Sequence, residues 1–163
     1  MAKKIILGLD PGLADTGYGV ISADGDSFTC LSYGSIKTEA GTDLASRLDY
    51  LQRSLDKIIK KFQPDVVGLE QLFFNKNVTS AMAVGQARGV LLLTLRQNGL
   101  SVRDFTPGQV KQAVCAYGRA TKRQVQNMVK LILKLNQVPK PDDAADALAL
   151  ALAAANTSVW QKK

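Results

Sequence analysis

Three places in the chain put carboxylates where they could act together. Asp10 closes the apolar run Ile5-Ile6-Leu7-Gly8-Leu9, Glu70 closes Val66-Val67-Gly68-Leu69, and Asp142, Asp143 and Asp146 crowd the start of an Ala/Leu-rich segment. A Glu at the end of an apolar strand is poorly explained by strand propensity or by burial without a partner. On a helix, Asp143 and Asp146 stand at i, i+3, and Asp142 and Asp146 at i, i+4. Either spacing puts two carboxylates on one face, so spacing alone leaves both pairs open. Grouped carboxylates repel one another, and a hard divalent cation, Mg²⁺ or Mn²⁺, is the simplest way to neutralise them. Two such ions about 4 Å apart can activate a water and stabilise the leaving oxygen of a phosphodiester. The chain contains no histidine, which removes Ser-His-Asp, Cys-His and histidine–metal chemistry together. Ordinary roles compete with this one: a turn residue at Asp10, a helix N-cap at Asp142 or Asp143, and an exposed helical charge at Asp146.

Positive charge supplies the complementary half. From Phe105 through Pro141 there is no acidic residue, while Lys111, Arg119, Lys122, Arg123, Lys130, Lys134 and Lys140 carry seven positive charges, as many as the whole net charge of +7. Such a window is either a solvated helix face or a polyanion-binding surface, and the acidic motifs elsewhere favour the second. Lys and Arg bind phosphates by counterion release, so an acidic site beside a basic surface describes a nuclease. In Gln71-Leu72-Phe73-Phe74-Asn75-Lys76, an aromatic beside a cation can stack on an unpaired base. Inward packing of Phe73 or Phe74 is the plain alternative.

These residues need a scaffold, and the hydrophobic pattern outlines one. The runs ending at Asp10 and Glu70 predict buried strands; if they lie side by side and parallel, both carboxylates emerge at one sheet edge, where open α/β sheets place ligands. Gly17–Ser22 and Ser27–Lys37 predict two further strands around the Asp24-Gly25 turn, giving a three-stranded antiparallel meander. Leu44, Leu48, Leu51, Leu55, Ile58, Ile59 and Phe62 predict an amphipathic helix ended by Pro64. A small-residue helix follows near Val78–Asn98, then a strand at Leu100–Phe105 and a turn at Thr106-Pro107-Gly108. Thr121-Lys122-Arg123-Gln124 fits a capping box that opens a helix in the basic window. The last helix starts at Asp142 or Asp143 and runs to about Asn156. The pattern is α/β with a mixed sheet.

At 163 residues and 46% apolar composition, the chain can bury one core, predicting a single domain over 1–157 and a short C-terminal tail at 158–163. The longest apolar candidate, Gly89 to Leu95, is interrupted by Thr94 and followed by Arg96, so no membrane span is expected. The apolar run after Lys3-Lys4 is too short for a signal-peptide core. Cys30 and Cys115 lie far apart in apolar-rich segments and are expected as packed thiols, with no disulfide or zinc site.

Taken in order, Gly8-Leu9-Asp10-Pro11-Gly12, Thr16-Gly17-Tyr18-Gly19, Glu70-Gln71, Gly85-Gln86-Ala87-Arg88-Gly89, Gln109-Val110-Lys111-Gln112 and Asp143-Ala144-Ala145-Asp146-Ala147-Leu148 resemble the RuvC family of bacterial Holliday-junction resolvases, from about Ile5 to Ala154. The resemblance implies a ribonuclease-H-like fold with a mixed five-stranded sheet flanked by helices. It also implies a catalytic, magnesium-binding set of Asp10, Glu70, Asp143 and Asp146, with Mn²⁺ as a substitute and two ions per site. The Asp-Ala-Ala-Asp pattern selects Asp143 over Asp142, although some family members carry histidine at the position of Asp143, which leaves its role open. Lys111 and Lys122 match basic positions at the DNA near the scissile phosphate, and Phe73 matches an aromatic at the junction centre. Phe74, Lys76, Arg88, Arg119 and Arg123 are further candidates for DNA contact.

The same resemblance implies a cytoplasmic bacterial homodimer, joined in part by the second helix and its small residues from Ala81 to Gly89, that makes paired nicks in four-way junctions. RuvA and RuvB are its implied partners. Two rivals remain: an actin-like phosphate-binding ATPase, for whose two domains the chain is short, and a non-catalytic module that binds branched DNA.

Overall fold

The computed structural model of the chain describes residues 2–72 and 77–160. Three strands come first: β1 (Lys4–Asp10), β2 (Asp15–Asp24) and β3 (Ser27–Lys37). Helix α1 (Leu44–Phe62), β4 (Val66–Glu70), α2 (Val78–Gln97) and β5 (Val102–Phe105) follow, then α3 (Pro107–Cys115), α4 (Lys122–Ile132) and α5 (Asp142–Trp160). The sheet order is β3-β2-β1-β4-β5. The meander β1-β2-β3 is antiparallel, and β4 and β5 add in parallel to β1. This is the mixed five-stranded α/β sheet of a ribonuclease-H-like fold.

Side chains alternate across a strand, so each strand feeds two cores. Leu7, Leu9, Val20, Val67 and Leu69 pack against Leu51, Leu55, Ile59, Ala87, Leu91 and Leu95 of α1 and α2. Ile6, Ile21, Val66 and Phe105 face the opposite way, onto α3, α4 and α5. Asp10 and Glu70 continue this second face, because each lies an even number of residues from Ile6 or Val66. The two thiols are free and partly buried against the same core, without a disulfide.

Helix α5 lies unusually deep. Ala144, Ala145 and every residue from Ala147 to Ala155 are almost fully buried, as expected of a helix apolar all round. Three glycines make room for it: Gly8 pairs with Gly19 on β2 and with Gly68 on β4, forming a row across three strands. A Cβ on Gly8 would overlap the Ala147 carbonyl oxygen, and one on Gly19 would meet the Leu148 backbone at 2.8 Å. The missing side chains let the helix backbone rest on the sheet backbone. Burying Leu148, Leu150 and Leu152 there contributes roughly 1.5–3 kcal/mol each.

Four details depart from the sequence pattern. Thr106-Pro107-Gly108 is the start of a helix rather than a plain turn: Thr106 caps α3, its hydroxyl accepts from the Gln109 N–H at 3.1 Å, and Gln109 reciprocates. Pro107 suits the first helical position because its missing N–H has no intrahelical partner there. Strand β5 begins at Val102, and α5 reaches Trp160, so residues 158–160 continue the helix. Among the described residues α2 is the one helix long and apolar enough to cross a membrane by length and composition. Ala81, Ala87, Leu91 and Leu95 on its inner face are buried in the chain, while Val78, Met82 and Leu93 on the other face are exposed.

Candidate metal centre and nucleic-acid cleft

The parallel pairing of Leu9 with Leu69 brings the ends of β1 and β4 together, and Asp10 and Glu70 come within hydrogen-bonding reach. Thr16 fixes the turn after Asp10: its hydroxyl donates to the Gly12 carbonyl at 2.5 Å while fully buried. Thr38 donates to the Leu13 carbonyl at 2.5 Å and holds the same turn from β3's end. On the α5 side, Gly17 pairs with Asp10, and a Cβ there would overlap the Asp143 carbonyl. The close approach that buries α5 therefore also lowers its first turn onto the strand ends.

The result is one acidic cluster. Carboxylate oxygens of Asp10, Asp143 and Asp146 all lie within 4.8 Å of one another, and Glu70 joins through Asp10. This decides the helical pairing that spacing left open. Asp143 and Asp146 share the cluster, whereas Asp142 turns to α4, accepting from Gln126 Nε2 at 3.3 Å and pairing with Lys122 Nζ at 3.3 Å. Asp15 is a fifth carboxylate that the motifs passed over. One of its oxygens is buried without a hydrogen-bond partner among the described residues, and its charge acts on Asp143. Its only sequence signal is a place between two motifs.

The electrostatics follow from crowding and burial. Burial first, then the charge of Glu70, push the Asp10 carboxyl from 3.8 up to about 9. Burial raises Asp146 as well, opposed by Lys122 and reinforced by Glu70 and Asp143. Burial and then Asp15 raise Asp143, against the lowering effect of its hydrogen bond with Asp10 and of Lys122. Lys122 is held above the ordinary lysine value, chiefly by Asp146. Oxygen donors that resist ionisation together are what a hard dication would stabilise, so the residues fit a divalent metal site.

The cluster opens into a cleft of about 240 Å³ lined by Glu70, Asp146, Lys111, Lys122, Pro107 and Val110 among others. Lys111 comes from α3 and Lys122 from the first turn of α4, whose capping box at Thr121 and Gln124 forms as the sequence predicts. Two lysines thus face the carboxylates across one groove. Arg119 and Arg123 are exposed on the approach to α4 and in its first turn. Arg88 is committed within the chain, pairing with Asp104 at 2.5 Å and donating to the Glu70 carbonyl at 3.3 Å. Phe73, Phe74 and Lys76 lie outside the described residues.

Comparison with known proteins gives this geometry a family. The family described as "Crossover junction endodeoxyribonuclease RuvC" matches residues 6–154, a stretch holding all four predicted carboxylates. The chain belongs to the RuvC family. It is 52% identical over 156 residues to the RuvC of Heliobacterium modesticaldum, covering 96% of both chains. Thermus thermophilus RuvC superposes with a TM-score of 0.90 at 32% identity, again over 96% of each chain. A second structure, T. thermophilus RuvC in complex with Holliday junction substrate, superposes with a TM-score of 0.88 at 30% identity. The RuvC match spans both strand ends and the start of α5.

Proposed function

We propose that the chain is a crossover-junction endonuclease that resolves four-way DNA junctions by divalent-metal-dependent phosphodiester hydrolysis, in recombination and repair in the bacterial cytoplasm. The carrying observation is the mutual approach of Asp10, Asp143 and Asp146 within 4.8 Å, beside a cleft that also holds Lys111 and Lys122. Family membership supports the substrate.

Asp10, Glu70, Asp143 and Asp146 would hold Mg²⁺, with Mn²⁺ as a substitute and two ions per site. The ions would supply Lewis-acid activation of the attacking water and stabilisation of the leaving oxygen. The chain's own groups do the rest. The partly buried carboxylates would hold the cations, Lys122 and Lys111 draw a phosphate into the cleft, and Arg119 and Arg123 extend the contact along the backbone. Phe73 and Phe74, with Lys76, are proposed to meet unpaired bases at the junction centre.

A homodimer suits a substrate with two-fold symmetry. Its support is the outer face of α2, where Val78, Met82 and Leu93 are exposed and a Cβ at Gly89 would meet nothing within 4 Å. Among the described residues nothing crowds Gly89, whereas Ala81 and Ala87 pack inward. RuvA and RuvB remain the proposed partners by family.

The test is cleavage of labelled four-way junctions, fixed and mobile, beside linear duplexes of the same sequence, with Mg²⁺ or chelator. Symmetric Mg²⁺-dependent nicks confined to the junction are expected. Junction binding without nicks would favour a non-catalytic branched-DNA module instead.

A further inference from the structure

Arg88 stands in the middle of α2, and the sequence made it a candidate for DNA contact. Its side chain is only 17% exposed. A guanidinium that far from water needs partners, and two are present: Nη2 meets the Asp104 carboxylate at 2.5 Å, and Nε donates to the Glu70 backbone carbonyl at 3.3 Å. Asp104 sits on β5 directly beside Leu69 of β4, and the Gln71 N–H donates to Phe105 on the same strand at 2.9 Å. One planar fork thus joins α2, the last residue of β4 and the neighbouring strand.

Strand β4 ends at Glu70 and α2 begins at Val78. The Gln71 N–H still bonds β5, whereas the Glu70 carbonyl accepts from the Arg88 side chain. Arg88 supplies this bond from the helix that follows β4. The carbonyl shares a rigid peptide plane with the Glu70 Cα, so anchoring it restrains the point from which the side chain reaches toward Asp10. We infer that Arg88 is a positioning residue for Glu70, acting through the Glu70 backbone with Asp104 as its counter-charge, rather than a ligand of DNA phosphate. The inference rests on Glu70 serving the proposed metal centre.

The decisive readouts are Mn²⁺ affinity of the DNA-free chain, by electron paramagnetic resonance, and single-turnover cleavage of a four-way junction. Arg88→Ala is expected to weaken Mn²⁺ and slow cleavage by about 10–100-fold, the usual effect of removing a group that orients a metal ligand. Junction affinity in chelator and its salt slope should stay as in the parent. Arg88→Lys keeps a charge for Asp104 but cannot serve both partners with one fork, so it should fold normally and still bind Mn²⁺ weakly. Asp104→Asn, which leaves the arginine but not its anchor, should shift Mn²⁺ affinity in the same direction by less; it keeps the test open if Arg88→Ala fails to fold.

A salt slope shallower by about one unit, with weaker junction binding, would make Arg88 a phosphate contact and overturn the inference. Parental Mn²⁺ affinity in Arg88→Lys and Asp104→Asn would also overturn it, leaving only a structural tie. Failure of the parent chain to nick any junction would instead overturn the resolvase reading, and is told apart because it does not depend on the substitution.

Discussion

Lys122 Nζ lies 3.7 Å from the Asp146 carboxylate, so a lysine from the basic window faces a proposed metal ligand directly. With 58% of the lysine side chain exposed, water screens this pair, and its worth is at most about 1 kcal/mol. A contact that weak holds the ammonium near the carboxylates yet releases it readily to an incoming phosphate. Lys122→Ala should therefore slow junction cleavage by about 10²-fold, the scale of losing one group aimed at developing charge. Binding should weaken little, with the salt slope changing by about one unit. Unchanged cleavage would remove Lys122 from the reaction.

Asp10→Asn and Glu70→Gln keep side-chain size while removing one ionisable carboxylate each from the cluster. Both variants should bind four-way junctions about as well as the parent and nick them at background level. Electrophoretic binding with a parallel cleavage assay checks this, and full nicking by either variant would refute the assignment of that residue.

Asp10 also makes a pH prediction for the metal-free chain. Its carboxyl is raised from 3.8 to about 9 by burial and then by Glu70. Between those values the folded state keeps a proton that the unfolded state has lost, so stability must fall as pH rises through that window. Asp143 and Asp146 are raised as well and act in the same direction. Thermal midpoints without metal should drop from pH 5 to pH 9, Mg²⁺ should restore them most at the alkaline end, and Asp10→Asn should flatten the slope. A midpoint that rises with pH in chelator would contradict the protonated cluster.

The glycine row makes a packing prediction. Gly8→Ala places a methyl against the Ala147 carbonyl, backbone on backbone, where nothing flexible can yield. A loss of at least about 1–3 kcal/mol is expected from such overpacking. Gly17→Ala presses on Asp143 itself and should reduce Mn²⁺ affinity as well as stability. Denaturant unfolding measures the first effect and metal titration the second.

The outer face of α2 makes a prediction about assembly. Leu93 is 58% exposed, and Leu93→Asp should change the fold of a single chain by no more than about 0.5 kcal/mol, as for other surface substitutions. In a dimer joined through α2 the same change buries an unpaired charge at the contact. Light scattering should find the parent at twice the chain mass and the variant at the chain mass, with equal circular dichroism. A dimer that survives Leu93→Asp would move the interface elsewhere.

Much of this architecture was legible in the pattern of residues. Two apolar runs ending in carboxylates, the Asp24-Gly25 turn, the Leu44–Phe62 periodicity and the Thr121 capping box each carry a local physical signal, and each element formed as read. Helix α3 was legible too and was missed, because Pro107-Gly108 reads as a turn unless the Thr106–Gln109 spacing is weighed. The pairing of Arg88 with Asp104 was not legible, because charge in sequence does not say which way a side chain points.

The sequence by itself determined the family and the α/β class and supplied the candidate carboxylates, since residue type, order and periodicity are properties of the chain alone. Only the tertiary structure decided which of them meet. The choice of Asp143 over Asp142 as partner of Asp146 at the cluster, the inward commitment of Arg88 and the approach of Asp15 all depend on how deeply α5 and α2 settle on the sheet. The depth of α5 is set by a row of glycines brought together from three strands, a contact between residues far apart in sequence that no local pattern encodes.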